Sequence, residues 1–233
     1  MSFEYSSKYK EYKKAVIGNE RSNHTFTKRL NTILSLGKGL NGEIIDIGCG
    51  YGFRTIELSK AINGSVVGID VDSTRIEEAE KFVRENGIQN CRFKVMDAES
   101  LEFGEGRFDV VVADEMIHHV RNLDKVISEM HRVLKNGGIA MISDHNKWSL
   151  ASDLVRYFKF GKNKEKVFSA GEIKSCFQQA GFSDIMYKHI LFTLPFYNLP
   201  KSVMRLNYFI EECIERTKVA SHQCGVYVIR GIK

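Results

Sequence analysis

The chain has 233 residues, of which 43% are apolar and 27% charged, and only 2 are prolines. This length and apolar content suit one large domain with a substantial core, and they exclude a disordered or low-complexity protein. Residues 1–45, 46–144 and 145–233 carry net charges of +4, −6 and +7, so basic ends flank an acidic middle. The basic ends could attract anionic substrates, nucleic acid or membrane head groups, or they could be solvated helix faces.

Short apolar runs alternate with helical patterns from residue 43 to residue 143. The predicted strands are Glu43–Ile47, Val66–Ile69, Cys91–Val95, Phe108–Ala113 and Ile139–Ser143. The predicted helices are Arg54–Ile62, Ser73–Asn86 and Leu123–Leu134, the last of them ended by Asn136-Gly137-Gly138. Such alternation predicts an α/β domain with a parallel sheet.

The pattern is looser after Asp144. Ser169 and Glu172 form a capping-box signature, and Gly181 is a suitable stop for the helix that follows. Strands are predicted at Asp184–Phe192 and Val226–Ile232. Between them, Lys201–Lys218 is predicted to be helical because apolar side chains recur at 3- and 4-residue spacing, namely Val203, Leu206, Ile210, Cys213 and Ile214.

A glycine-rich segment, Asp46-Ile47-Gly48-Cys49-Gly50-Tyr51-Gly52, joins the first strand to the first helix. Glycine lets the backbone turn sharply and approach a ligand closely. The G-x-G-x-G spacing differs from the G-x-G-x-x-G of dinucleotide-binding folds, which disfavours an NAD-dependent oxidoreductase. Asp70 and Asp97 end the second and third strands, where carboxylates can accept hydrogen bonds from ribose hydroxyls and an adenine amino group. With Asp46, they predict a ligand site at the carboxyl edge of the sheet.

These segments resemble the class I S-adenosylmethionine-dependent methyltransferases, and among them the small-molecule "type 11" group. The resemblance rests on Ile44–Gly52, Val67–Asp72, Asp97–Leu101, Phe108–Ala113, His118-His119 and Val133–Gly138. It implies an α/β, Rossmann-like, doubly wound sheet of seven strands. The last strand, Val226–Ile232, would be antiparallel, and helical insertions would follow strands 5 and 6.

The resemblance also implies S-adenosylmethionine as cofactor and S-adenosylhomocysteine as product. In this family the glycine loop holds the methionine part of the cofactor. The end of the second strand holds the ribose, and the end of the third strand holds the adenine. The loop that faces the methyl group begins at the end of the fourth strand. The implied cofactor contacts in this chain are Asp46, Gly48, Gly50, Gly52, Asp70, Val71, Asp97, Ala98 and Asp114.

Methyl transfer from a sulfonium needs mainly alignment, and a base is required only if the acceptor loses a proton. The catalytic candidates are His119, His145 and Glu115, which follow the fourth and fifth strands. One of the paired histidines, His118 and His119, is expected to pack against or cap the next helix. No metal-ligand set is predicted.

Asp114-Glu115-Met116-Ile117 stands where amino-methylating nucleic-acid enzymes of this fold carry Asn/Asp-Pro-Pro-aromatic, and no Pro-Cys nucleophile is present. The expected reaction is therefore O-, N- or C-methylation of a small-molecule acceptor, hydrophobic or anionic. The alternative, suggested by the basic flanks, is a tRNA- or RNA-modifying or nucleic-acid-binding protein of the same fold. A cofactor binder without catalytic activity also stays open.

Three segments are expected along the chain: a helical lid at 1–42, the cofactor-binding core at 43–144, and at 145–233 the rest of the sheet with the insertions that choose the substrate. Together they would make one domain. Tyr5, Tyr9 and Tyr12 have the spacing of a helical lid or of an ordinary packed face. Aromatic and basic residues follow strand 5, namely Trp148, Tyr157, Phe158, Phe160, Lys159, Lys162, Lys164 and Lys166. Together with Leu191–Leu199, they could form an apolar pocket with a cationic rim, or they could simply pack on the sheet.

The five cysteines form no C-x-x-C pair, and the sequence begins without a signal-like pattern. A reduced, cytoplasmic protein is therefore expected. No apolar run reaches the ~18–20 residues that span a bilayer, although contact with a membrane surface stays open. The oligomeric state is open as well.

Overall fold

The computed structural model describes residues 10–11, 14, 18–37, 40–149, 166–191, 201–217 and 220–233. Seven strands lie in these ranges: β1 (Asn41–Ile47), β2 (Asn63–Asp70), β3 (Cys91–Val95), β4 (Phe108–Asp114), β5 (Leu134–His145), β6 (Ser183–Ile190) and β7 (Val226–Ile232). They form one sheet in the order β3-β2-β1-β4-β5-β7-β6, in which β7 is antiparallel to both of its neighbours. The predicted fold, an α/β Rossmann-like sheet with an antiparallel last strand, is confirmed.

The helices are α1 (Glu20–Leu36), α2 (Phe53–Ala61), α3 (Ser73–Glu85), α4 (Leu123–Val133), α5 (Ala170–Gln179) and α6 (Lys201–Glu215). Polar side chains begin several of them by accepting hydrogen bonds from free amides of the first turn. Asn19 caps α1, Asp72 caps α3 and Asn122 caps α4. Ser169 and Glu172 form the predicted capping box of α5.

The position of the site follows from β1, which pairs in parallel with β2 on one side and β4 on the other. The chain runs outward from β1 to β3 and then returns to β4, so the strand order reverses at this point. Open α/β sheets bind ligands in the crevice at the carboxyl ends of such strands. Both faces of β1 are covered, and Ile44, Ile45 and Ile47 are fully buried, which explains its nearly continuous apolar sequence.

The start of β5 differs from the prediction. Asn136-Gly137-Gly138 was expected to end helix α4 as a turn, but α4 ends at Val133 and β5 begins at Leu134. Leu134 pairs with Phe108 and Ile139 with Val110, so four residues of β5 stand opposite a single residue of β4. The strand accommodates these extra residues as a bulge, and Gly137 has a positive φ of 79° there.

Helix α6 turns its apolar stripe outward. Leu206 and Phe209 are 57% and 64% exposed, while Asn207 and Glu211 are buried. Glu211 accepts hydrogen bonds from His24 and Lys28 of α1, and these charge-assisted contacts hold the polar side of α6 against the molecule. Periodicity predicted the helix correctly, but the more apolar side is not the one that packs.

Among the described residues, no helix combines the length and the apolarity needed to cross a membrane. Several substrate-pocket candidates lie outside the described residues: Tyr5, Tyr9, Tyr12, Tyr157, Phe158, Phe160, Lys159, Lys162, Lys164 and residues 192–199. Trp148 is described and is 60% exposed, so it does not pack in the core. Lys166 donates a hydrogen bond to the backbone carbonyl of Arg121.

Candidate active site

A cleft of about 680 Å³ opens at the carboxyl ends of β1, β2 and β4. This volume is in the range of small-molecule and cofactor sites. Its walls include ten of the predicted site residues, namely Asp46, Gly48, Gly50, Asp70, Val71, Asp97, Ala98, Asp114, Glu115 and His119. Gly52 and His145 do not line this cleft.

The glycine loop forms the floor of the cleft. Gly48 has a φ of 74°, and a Cβ at this position would lie 2.5 Å from the Cβ of Met116. Gly52 has a φ of 75° and packs on the ring of Phe93, so it serves the packing of α2 and not the cleft wall. The amides of Gly48 and Cys49 both donate to the carbonyl of Ile69, which ties the loop to β2.

Asp70 is held by backbone amides. The Gly50 amide donates to its Oδ2 at 2.9 Å, and the Asp72 amide donates to its Oδ1 at 3.0 Å. Each carboxylate oxygen accepts two hydrogen bonds readily, so each one keeps capacity for a ligand hydroxyl. The neighbouring Val71 is 68% exposed at the edge of the cleft.

Asp46 lies deeper, at the end of β1. Its Oδ2 accepts a hydrogen bond from the Thr55 hydroxyl at 2.6 Å. Burial raises the pKa of Asp46 to about 7, because an ionised carboxylate loses its hydration there. A cationic ligand placed nearby would favour the ionised form.

Asp97 lies at the outer edge of the cleft, beside Glu99 and Arg121, which the sequence analysis did not identify as site residues. The Glu99 amide donates to Asp97 Oδ1 at 2.8 Å, and Arg121 Nη2 donates to Asp97 Oδ2 at 3.1 Å. The carboxylate of Glu99 in turn accepts from the amides of Arg121 and Asn122. No local pattern indicates Arg121, because it reaches the site from the loop before α4.

A cluster of two arginines and two acids lies at the end of β4, with Arg29 and Asp114 buried and Arg54 and Glu115 partly exposed. Arg54 of α2 donates to Asp114 Oδ2 at 2.5 Å and also pairs with Glu115. Arg29 of α1 places Nη1 2.6 Å from Glu115 Oε1 and 3.2 Å from Asp114 Oδ1. Burial opposes ionisation of Glu115, but the two guanidinium groups hold the pKa of its carboxyl well below its usual range. Glu115 therefore carries a fixed negative charge.

Three histidines meet beside this cluster. His118 Nδ1 lies 2.8 Å from Asp144 Oδ1, and its ring stands 4.0 Å from that of His119 and 5.6 Å from that of His145. The hydrogen bond from His118 keeps the pKa of the buried Asp144 low even though burial opposes its ionisation. Burial and the nearby Arg29 guanidinium lower the pKa of His145, so its imidazole is neutral near pH 7.

The charge that faces the cleft is mainly negative. Six acids and three arginines line it: Asp46, Asp70, Asp97, Glu99, Asp114 and Glu115, with Arg54, Arg75 and Arg121. An excess of carboxylates suits a cationic ligand such as a sulfonium. In the described part of the chain, no group of three or more His, Cys, Asp or Glu residues could hold a metal ion.

The strand order, with β7 inserted antiparallel between β5 and β6 and a glycine loop after β1, defines the class I methyltransferase fold. Residues 39–205 match the family model described as a methyltransferase domain, and the chain belongs to that family. The resemblance found in the sequence is thereby confirmed.

Two curated relatives illustrate the similarity. The 27-O-demethylrifamycin SV methyltransferase of Amycolatopsis mediterranei is 30% identical over 167 residues, covering 70% of this chain and 61% of that protein. The ubiquinone biosynthesis O-methyltransferase of Pelagibacter ubique is 35% identical over 107 residues, covering 46% and 43%. The matched region thus spans about half the length of these relatives.

Solved structures agree on the fold. A crystal structure of an S-adenosylmethionine-dependent methyltransferase from Thermotoga maritima superposes with a TM-score of 0.69 at 19% identity. The match covers 96% of this chain and 94% of that one. At this identity the similarity establishes the architecture alone.

Proposed function

We propose that this protein transfers a methyl group from S-adenosylmethionine to a small-molecule acceptor. The observation that carries the proposal is the placement of Asp70 and Asp97 at adjacent strand ends, beside the glycine loop, in one acid-lined cleft. When bound, the cofactor supplies a methyl group on a sulfonium sulfur, and in-line displacement leaves S-adenosylhomocysteine.

The residues of the cleft fit this cofactor. Asp70 has the remaining acceptor capacity for ribose hydroxyls, and Val71 offers an apolar edge beside it. Asp97 and Ala98 lie where an adenine would extend along β3. The glycine loop and Asp46 would hold the methionine part, and the close packing of Gly48 on Met116 keeps the loop in this conformation.

A hydroxyl acceptor needs a residue that takes its proton, and His119 is the histidine that lines the cleft. The ring of His118 lies 4.0 Å from that of His119, and His118 Nδ1 lies 2.8 Å from Asp144 Oδ1, so Asp144 orients the pair. His145 stands behind them. Glu115, held ionised by two arginines, is too weak a base for proton transfer. The sequence left open which of His118 and His119 packs against the next helix, since Asp144, the partner of His118, lies 26 residues away in sequence.

The names of the relatives support a small-molecule acceptor. They include enzymes of rifamycin and ubiquinone methylation and a demethylmenaquinone methyltransferase from Lactococcus lactis. We therefore place a hydroxyl-bearing aromatic or quinol-like acceptor first. The nucleic-acid alternative is not favoured, since the cleft is acidic. The five free cysteines support a reducing compartment such as the cytoplasm.

The proposed division of the chain gains support from α1, which belongs to the 1–42 segment. Its Arg29 and Phe26 contact the end of β4 and the start of α2, so this segment lies against the cofactor-binding core beside the cleft. This placement suits a lid more than a free-standing domain.

Calorimetry with S-adenosylhomocysteine tests the cofactor assignment. We expect Asp70→Ala to weaken binding by about 10-fold or more, since it removes charge-assisted hydrogen bonds. Unchanged affinity would contradict the assignment. Transfer of labelled methyl to a panel of catechols and hydroquinones, with bulk tRNA as a parallel substrate, then tests the acceptor class; label on tRNA alone would favour the alternative.

A further inference from the structure

Arg29 of α1 reaches the acids at the end of β4, on the acceptor side of the cleft. Its side chain is 1% exposed, and its Nη1 lies within ion-pair distance of both Asp114 and Glu115. The backbone of Glu115 has a φ of 55°, an uncommon conformation for a residue other than glycine. This conformation turns the Glu115 carboxylate toward the arginines and not along the strand.

A purely structural role explains Arg29 poorly. Burying a guanidinium group costs several kcal/mol unless its donors are satisfied, and none of the three buried nitrogens Nε, Nη1 and Nη2 makes a well-directed hydrogen bond within the described residues, although Nη1 lies within ion-pair distance of both acids. Helix α1 is already anchored by the rings of Phe26 and Phe53, by buried Ile33 and by the contacts of Lys28 with α6. Arg54 pairs with Asp114 and Glu115 as well, so each acid keeps an ion-pair partner without Arg29.

We propose that Arg29 is a positioning residue of the transfer site, which shares the Glu115 carboxylate with Arg54 and so sets the net charge beside His145. The proposal rests on the function proposed above. Glu115 Oε1 lies between the two groups, 2.6 Å from Arg29 Nη1 and 3.9 Å from His145 Nε2. Helix α1 thereby contributes to the chemistry of the site and does more than cover it.

The charged groups around His145 act in opposite directions. Arg29 and His118 lower the pKa of its imidazole, and Glu115 and Asp144 raise it. Arg54 still pairs with Glu115 when the Arg29 charge is removed, so the two acids beside His145 then dominate. The imidazole of His145 would then take up a proton at a higher pH.

NMR titration of the His145 ring in the full chain tests the proposal with two variants. Arg29→Met should raise the midpoint of His145 by about one pH unit, while leaving affinity for S-adenosylhomocysteine within about 3-fold of the parent. The matched control is Lys28→Met, which disturbs the neighbouring position of α1 and its contacts with Glu211 and Glu215 but touches neither Glu115 nor His145. Lys28→Met should leave the His145 midpoint unchanged.

A third variant separates charge from geometry. Arg29→Lys keeps the positive charge, so the titration midpoint of His145 should stay close to that of the parent protein. The proposal is overturned if Lys28→Met shifts the midpoint as Arg29→Met does, because packing of α1 would then be the cause. It is also overturned if Arg29→Met weakens S-adenosylhomocysteine binding strongly without moving His145, since Arg29 would then be a cofactor ligand. These readouts need no acceptor, so their outcome is independent of whether methyl transfer is found.

Discussion

The two sides of the cleft are built differently. On the cofactor side, backbone amides of the loops at the strand ends hold the acids: the Gly50 and Asp72 amides hold Asp70, and the Glu99 amide holds Asp97. On the acceptor side, side chains from distant elements hold one another, and Arg54 reaches Asp114 across 60 residues of sequence. The cofactor side is therefore set by local backbone geometry, whereas the acceptor side depends on how α1, α2 and β5 pack together.

This difference predicts that the acceptor side can be disabled without harm to the cofactor side. His119→Asn should lower the turnover number by about 10²- to 10⁴-fold, the usual contribution of a general base. Affinity for S-adenosylhomocysteine should stay the same, as calorimetry can show. His118→Asn and Asp144→Asn should have smaller effects, because these residues act by orienting the ring of His119. Equal losses of turnover and cofactor affinity would show that the two sides are coupled.

The converse change should disable the cofactor side. In Gly48→Ala, the new Cβ would meet the Cβ of Met116 while the backbone keeps a positive φ. Strain of about 1–2 kcal/mol from the backbone, and about 1–3 kcal/mol from overpacking, should lower the melting temperature and weaken S-adenosylhomocysteine binding.

Gly87→Ala is the control for this change. Gly87 also has a positive φ, of 64°, but nothing lies within 4 Å of a Cβ placed there. It should cost only the backbone strain and leave cofactor binding intact. Equal effects of the two variants on melting temperature would contradict the proposed contact with Met116.

The ionisation of Asp46, at the deep end of the cofactor side, should make the stability of the folded protein depend on pH. The pKa of Asp46 rises from 3.8 in the unfolded chain to about 7 in the folded protein. The folded state thus retains a proton that the unfolded state releases, and Asp46 destabilises the protein progressively as pH rises from about 4 to 7. The penalty is on the order of 1 kcal/mol for each pH unit of that interval.

Asp46→Asn removes the penalty while keeping an acceptor for Thr55. Without cofactor, the variant should match the parent near pH 4 and melt at a higher temperature at pH 8. It should also bind S-adenosylmethionine more weakly at pH 8, because the ionised carboxylate is lost. A melting-temperature difference that does not vary with pH would contradict this account of Asp46.

Arg121 should have the smallest effect. Its side chain is 81% exposed, and exposed ion pairs typically contribute about 0–1 kcal/mol. Arg121→Ala should weaken S-adenosylhomocysteine binding by about 3-fold at most at physiological salt. A larger loss would indicate that Arg121 contacts the adenine side of the ligand directly.

The sequence predicted the cofactor side well for a physical reason. The glycine spacing, Asp70 and Asp97 each sit at the end of an apolar strand, and parallel strands bring their carboxyl ends together. Whether these residues bind the cofactor stays a prediction, but their common placement in one cleft follows from topology. The Ser169 capping box was also predicted, since it depends on a short local pattern.

The errors lie where partners are distant. The spacing of Val203, Leu206 and Cys213 predicted helix α6 but not its orientation, in which the ion pairs of Glu211 and Glu215 with α1 hold the polar side inward. The turn expected at Asn136–Gly138 became a bulge in β5, because the strand already pairs with β4 at Leu134. Neither outcome is visible in local periodicity.

By itself, the sequence determined the class of fold, the glycine loop and the acids at the strand ends, because apolar periodicity and glycine conformation act over a few residues. Only the tertiary structure decided which groups meet at the acceptor side. There, Arg29 pairs with Glu115 and His118 with Asp144. Such charge pairs form between elements that no local pattern connects, and the burial of those elements is what makes the charges strong enough to shape the site.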